Sequence, residues 1–377
     1  MDWTRISKSI KHFLFNLLVL TLPSLILCFL LLELVIFRFM LPVSERPYRY
    51  FDREWSLMKL ESHQSGTYRK GLRSEVKGKY RTNAAGWNSV HEYLETRGEA
   101  TRIAVIGDSY VEAVQVDVDQ AFPAILEANL TARGYPVEVY SFGVSGAALS
   151  EYLQIMRYVY QKFRPDIAIV NLFYNDFTES LASTSSSRYR LRFKPLSPEH
   201  FVSVPPEPYT PSKIRRLFGE SAVVRFLYYQ IALSERLAAL KRIFINPGVD
   251  VEQNVELSAL QIEVLIRGVT RHIFKEFKRL SDQAGVKLLL SIDAPRQYIY
   301  QNKNPGEARV YRLNQISLNV THALGIEMID LTDAFQKDYK HHRERFEFQI
   351  DGHWNQRGHQ VVGQTLSKFL VEHQWLD

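Results

Sequence analysis

From Thr101 onward, short β-branched and aromatic runs alternate with stretches of helical apolar spacing, and that alternation leaves few folds open. Residues 102–106, 137–142, 166–173, 286–292 and 326–331 read as strands. The third is nearly all apolar, as a strand covered on both faces must be. Between them, helices are expected over 120–133, up to about 163, and over 255–284, 306–323 and 356–372. Phe122, Ile125, Leu126 and Leu130 mark the buried stripe of the first, and Leu257, Leu260, Val264, Val269, Ile273, Phe277 and Leu280 that of the long one. Strand–helix alternation predicts a parallel sheet clothed by helices on both sides, with ligands bound beyond the carboxyl ends of the strands. Ser109, Gly146 and Asn175 each fall just after a predicted strand, so three distant segments converge on one sheet edge.

The N-terminus follows another rule. About twenty residues, 13–32, carry no charge, enough for a helix to cross a bilayer. Arg5, Lys8 and Lys11 precede the run, no small-x-small cleavage site follows it, and apolar residues continue past Glu33 to Phe39. These features predict an uncleaved signal-anchor over 13–37 after a short basic tail, 1–12. Arg38, Arg46, Arg49 and Arg53 on the far side nearly balance the tail. The short tail favours an arrangement with the following domain outside the cytoplasm, at the inner membrane. A stalk and entry segment is expected over 41–100, whose basic stretch 68–81 reads as a solvated or headgroup-contacting face. The domain itself is expected over 101–373, with an insertion at about 177–255 that contains an amphipathic basic helix at 219–243.

The net charge of +6 favours anionic partners such as lipid headgroups or acidic glycans. With neither zinc-finger spacing nor an RNA-binding signature, no nucleic acid partner is expected. One cysteine, Cys28, rules out an intrachain disulfide framework and a cysteine-based zinc site. His341, His342, His353 and His359 lack a recognised ligand spacing, so neither a metal nor another cofactor is expected. His359, at the start of the last predicted helix, reads as structural.

A serine hydroxyl attacks a carbonyl only when a positioned base takes its proton, a carboxylate holds that base, and preorganised donors meet the oxyanion. In Gly107-Asp108-Ser109-Tyr110, the glycine permits a sharp turn and the serine can sit at a helix entrance. Gly143-Val144-Ser145-Gly146 offers an unobstructed backbone amide, and Tyr174-Asn175-Asp176 offers a side-chain amide, although Asn175 and Asp176 also suit a turn cap. Asp351 and His353 precede the last helix and can supply orienter and base. Asp293, after the fourth strand, is placed either to contact substrate or to cap a loop.

The order and spacing of these blocks resemble the SGNH/GDSL hydrolase superfamily, over about residues 80–373. The resemblance implies an α/β fold, flavodoxin-like, a three-layer α/β/α sandwich with a five-stranded parallel sheet, here preceded by one transmembrane helix. It implies Ser109 as nucleophile, His353 and Asp351 as base and orienter, and Gly146 and Asn175 as oxyanion donors beside the serine's own amide. Two positions depart from the pattern. Phe173 stands where the third block usually has glycine, and the last block is Asp-x-His (Asp351-Gly352-His353) rather than Asp-x-x-His. The shorter spacing followed by Trp354 is similar to the branch containing the alginate O-acetylation proteins of exopolysaccharide systems. The Asn83-x-x-Gly86-Trp87 stretch is similar to membrane-anchored bacterial relatives.

The resemblance implies a membrane-anchored serine esterase or O-acyltransferase acting on ester-linked acyl groups, acetyl first among them, on a cell-envelope or extracellular polysaccharide. Expected partners are an acylated carbohydrate or other ester substrate, the bilayer through residues 13–37, and other envelope polysaccharide-processing proteins. The two departures motivate a second reading, a non-catalytic glycan-binding or assembly component that retains the fold.

Overall fold

The computed structural model describes residues 12–185, 187–233 and 259–376. The chain forms two compact units, one of Met1–Glu45, Arg69–Ser74 and Pro211–Val249, the other of Arg46–Tyr68, Glu75–Thr210 and Asp250–Asp377.

The larger unit is built on five parallel strands: β1 (Thr101–Gly107), β2 (Val137–Gly143), β3 (Ile167–Leu172), β4 (Lys287–Ile292) and β5 (Glu327–Asp330). They are hydrogen-bonded in the order β5-β4-β3-β1-β2. Alternate side chains divide between two cores, as the pleat requires. Ala104, Ile106, Val170, Leu172, Leu290 and Ile292 face one layer, and Ile103, Val105, Ile167, Ile169 and Leu289 the other. The first layer holds α3 (Leu149–Lys162), α5 (Ala259–Ala284) and α6 (Tyr311–Leu324), through residues such as Tyr152, Met156, Ile273, Phe277 and Val320. The second holds α2 (Phe122–Ala132), α7 (Thr332–His342) and α8 (Gln356–Glu372), through Leu126, Phe335, Val362 and Leu366. The three-layer α/β/α architecture expected from the sequence is therefore present. Its strand order reverses between β1 and β3, where sheets of this kind leave a crevice.

Residues 41–100 do more than lead into the domain. Leu57, Met58, Trp87 and Tyr93 enter the main core, and Arg49–Asp52 pairs antiparallel with Leu57–Leu60. Large aromatic side chains in this stretch bury more apolar area than a solvated stalk can leave exposed. Within the expected insertion, Arg192–Pro195 and Phe201–Val204 form a hairpin that buries Phe193. In place of one helix over 219–243, the described part has a helix at Lys213–Glu220. A second begins at Ala222 after Ser221 caps it through the Val224 N–H. The rest of 219–243, from residue 234, and most of the basic tail lie outside the described residues. In the smaller unit, a helix spans His12–Met40, long and apolar enough to cross a membrane.

Candidate active site

β1 ends at Gly107, and the chain turns at once into α1 (Ser109–Glu112), a single helical turn whose first residue is Ser109. Asp108 caps it: its Oδ1 accepts the Tyr110 N–H at 2.9 Å. The turn closes at Ala113, left-handed at φ 51°, whose N–H bonds Ser109 O at 2.9 Å. α1 lies directly on the end of β2. A Cβ on Gly143 would sit 1.9 Å from Glu112 N, so only glycine allows this approach. Asp108 is fully buried by the arrangement, and burial pushes its carboxyl up to about 6.

His353 arrives from the far end of the chain, on a small hairpin of β6 (Glu347–Phe348) and β7 (Asp351–Trp354). Its Nε2 lies 2.8 Å from Ser109 Oγ, whereas Asp108 Oδ2 is 3.4 Å from the same oxygen. On the other side of the ring, Nδ1 meets Asp351 Oδ1. That oxygen also accepts the His353 backbone N–H at 3.0 Å. One carboxylate oxygen serving both the backbone and the ring explains how Asp-x-His, one residue short of the usual spacing, still brings its members together. An imidazole between a hydroxyl and a carboxylate can take the hydroxyl proton as the oxygen attacks.

The hairpin is held by side chains from elsewhere. Gly352 O accepts from Tyr110 Oη at 2.8 Å and from Arg296 Nη2 at 3.0 Å. Arg296 also pairs with Asp293 and with Glu347, each at 3.2 Å. Asp293 Oδ1 accepts Trp354 Nε1 at 3.1 Å. Asp293 is wholly buried, and burial raises its carboxyl against the opposing pull of Arg296. It is thus tied into the packing around β7.

Gly146 follows β2 in the left-handed region, φ +74°. Its N–H meets no protein acceptor among the described residues. The neighbouring residue is gripped at both ends: Ser145 N–H donates to Glu112 at 2.7 Å, and Ser145 O accepts from Arg190 at 2.7 Å. Glu112 is itself buried against Arg49, and Arg190 pairs with the buried Glu151. After β3, Asn175 is the second residue of α4 (Tyr174–Glu179) and donates to Glu179 Oε1 at 3.0 Å. An amide has two N–H donors, so one remains. Its neighbour Asp176 takes the turn-capping part, accepting from Phe173 N–H at 2.7 Å and from Tyr152 Oη at 2.9 Å. Burial, then the charge of Asp108, holds the Asp176 carboxyl well above the usual range.

Neither Gly146 nor Asn175 hydrogen-bonds to Ser109 or His353 among the described residues. Phe173 replaces the usual glycine without strain, because its φ is −127°. Its ring stacks on Tyr110 with centroids 4.3 Å apart. His359 is buried, its Nδ1 accepts the Phe122 N–H at 3.3 Å, and burial drives its imidazole down to about 3. It is neutral at physiological pH and part of the packing.

Tyr110, Glu112, Arg190 and Arg296 were not singled out from the sequence. The first two lie within three residues of Ser109, which was the available signal. The arginines reach Ser145 O and Gly352 O across more than forty residues of chain, and those contacts leave no local pattern.

Solved structures similar to this chain include LAE5, an alpha/beta hydrolase enzyme from the metagenome of Lake Arreo, Spain. It is 15% identical, with 75% of this chain and 99% of that one covered and a TM-score of 0.41. An acetyl xylan esterase, AlAXEase, is 11% identical over 71% of this chain and 99% of its own, with a TM-score of 0.40. A lipase/acylhydrolase from Enterococcus faecalis is 13% identical over 72% and 96%, with a TM-score of 0.38. No curated protein sequence matches the chain. The profile of the GDSL-like lipase/acylhydrolase family matches residues 105–361, from within β1 to within α8. The chain therefore belongs to the GDSL-like lipase/acylhydrolase family and is an ester hydrolase of the SGNH type.

Proposed function

We propose that the protein is a membrane-anchored serine esterase or O-acyltransferase. Its substrates are ester-linked acyl groups, acetyl first, on a cell-envelope or extracellular polysaccharide. The observation that carries this reading is the unbroken hydrogen-bonded line from Asp351 through His353 to Ser109. Ser109 Oγ attacks the ester carbonyl while His353 Nε2 takes its proton, and Asp351 stabilises the imidazolium. The oxyanion is met by the amides of Ser109 and Gly146 and by the free N–H of Asn175. The tetrahedral intermediate collapses as His353 returns the proton to the leaving sugar oxygen, which leaves an acyl-Ser109. Water then regenerates the enzyme as an esterase, or a second sugar hydroxyl takes the acyl group as an acyltransferase.

The carbohydrate and acetyl parts of the reading rest on the similarity of the Asp351-Gly352-His353-Trp354 block to exopolysaccharide O-acetylation proteins. The anchor rests on the apolar helix His12–Met40, with residues 13–37 in the bilayer and the larger unit on the extracytoplasmic side. Other envelope polysaccharide-processing proteins are the natural partners of such an enzyme. Phe173 and the Asp-x-His spacing, which motivated a binding-only reading, are both compatible with the hydrogen-bonded line.

The test uses the full-length protein in detergent with p-nitrophenyl acetate, its decanoate homologue, and an O-acetylated polysaccharide with and without an unacetylated acceptor. Expected are faster turnover of acetate than of decanoate, acetate release from the polysaccharide, and loss of both in Ser109→Ala. Preference for the decanoate ester rules out the acetyl assignment. Acetyl transfer to the acceptor in excess of free acetate identifies an acyltransferase.

A further inference from the structure

The smaller unit carries an apolar surface that the chemistry above does not use. Helix Lys213–Glu220 places Ile214, Leu217 and Phe218 at positions i, i+3 and i+4, which share one face. These side chains are 67%, 73% and 56% exposed. Arg216 and Gly219 fall on the opposite side of the wheel, and Lys213 and Glu220 flank the stripe. A soluble helix normally turns such an apolar stripe inward.

What this face meets follows from the element beside it. The uncharged run of residues 13–32 matches the ~20 residues that a helix needs to cross the hydrocarbon core. Glu33 is the first charge after it and marks the edge of the hydrocarbon core, with the rest of the 13–37 anchor in the headgroup region. Its carboxylate accepts Ser221 Oγ at 2.8 Å and the N–H groups of Ala222 and Val223 at 2.8 and 3.0 Å. One turn later, Phe37 stacks on Phe226 with centroids 4.5 Å apart. Residue 221, immediately after the amphipathic helix, is thus tied to the membrane-exit level of the anchor.

Basic residues gather in the same unit. Arg38 follows Glu33 on the anchor, and the segment Arg69–Ser74 bonds to the chain after Ser221 through Gly71 N–H and Gln230 O at 2.8 Å. Leu72, in that segment, is 62% exposed between Lys70 and Arg73. An apolar stripe joined to the exit level through Ser221, in a unit that also carries Arg38, Lys70 and Arg73, has the composition of a helix that lies in the headgroup region of an anionic bilayer.

We infer that helix Lys213–Glu220 lies in the interface of an anionic bilayer, with Ile214, Leu217 and Phe218 inserted at the acyl-chain boundary. The inference rests on reading residues 13–37 as the membrane span, and its test separates the two. Because Cys28 is the sole cysteine, a Cys28→Ala background allows an environment-sensitive fluorophore at Phe218→Cys. A control label is placed at Gly219→Cys, where an added Cβ meets nothing within 4 Å.

The full-length protein is reconstituted in phosphatidylcholine vesicles, with or without phosphatidylglycerol, and with shallow doxyl-labelled lipid as quencher. The label at 218 is expected to brighten roughly twofold with phosphatidylglycerol and to be quenched by the doxyl lipid, while the label at 219 is not. Equal, unquenched signals at both positions overturn the inference, including the case in which a protein partner covers this face. Extraction of native membranes at alkaline pH tests the span alone. Release of the protein defeats the anchor reading, whereas retention together with an unquenched label at 218 defeats only the interfacial helix.

Discussion

The turn that carries Ser109 is fixed by backbone packed on backbone, whereas the segment that carries His353 is fixed by side chains reaching from other elements. On the first side, α1 rests on Gly143 with no room for a methyl group, and Asp108 and Ala113 close the turn within five residues. On the second, β7 belongs to a two-stranded hairpin, and Gly352 O hangs from Tyr110 and Arg296. A backbone-built feature fails all at once when a methyl group is inserted. A side-chain-built feature can be loosened one hydrogen bond at a time.

Gly143→Ala is the harshest way to test the contrast. The new Cβ meets Glu112 N and Cα, neither of which can swing aside. We expect a loss of at least about 4 kcal/mol in urea unfolding, at the severe end for a single substitution. A loss below about 1 kcal/mol means that the nucleophile turn is adaptable and the contrast is wrong.

Arg296→Met comes next, on the base side. It leaves the buried Asp293 without its cation, which costs about 3–5 kcal/mol. The double variant with Asp293→Asn is expected to regain much of the stability but not the turnover rate, because Gly352 O still lacks one of its two donors and hangs from Tyr110 alone.

Tyr110→Phe removes the hydrogen bond donated to Gly352 O and the one accepted from Arg296 Nη2 at 3.0 Å, while the ring stays on Phe173. About 1–2 kcal/mol of stability is at stake. The expected kinetic signature is a fall of roughly tenfold in kcat with KM unchanged, the mark of an interaction realised in the transition state.

The smallest effect is one of pH. Asp108 titrates at about 6 in the fold, above its ordinary value, so the folded state keeps a proton that the unfolded chain has released. The contribution of Asp108 to stability is therefore undiminished below about 4, falls as pH rises through the window to about 6, and levels off above it. Asp108→Asn can still accept the Tyr110 N–H, and we expect its urea midpoint to lose this part of the decline. A variant with the same slope as wild type shows that Asp108 does not titrate in that window.

The same division explains what could be read in the sequence. Each of the five strands was legible from its apolar run, because burial on both faces demands one. The long helices were legible from their stripes. Ser109 and Asp108 could be placed because their constraint is local. The reach of His353 to Ser109 could not, since it depends on one Asp351 oxygen serving two donors and on the grip of Arg296 on Gly352. The packing of 46–68 and 75–100 into the core was also hidden. Val76–Arg81 alternates buried and exposed residues, but the isolated aromatics around it carry no period, and only the finished fold shows Trp87 among Phe142 and Tyr158.

The pairing of the two sides is the central claim, and the rate of Ser109 modification by a fluorophosphonate probe tests it most directly. Wild type is expected to label rapidly at Ser109, Ser109→Ala not at all, and His353→Ala slower by roughly 10³-fold or more. Equal labelling of wild type and Ser109→Ala, or undiminished labelling of His353→Ala, contradicts the account.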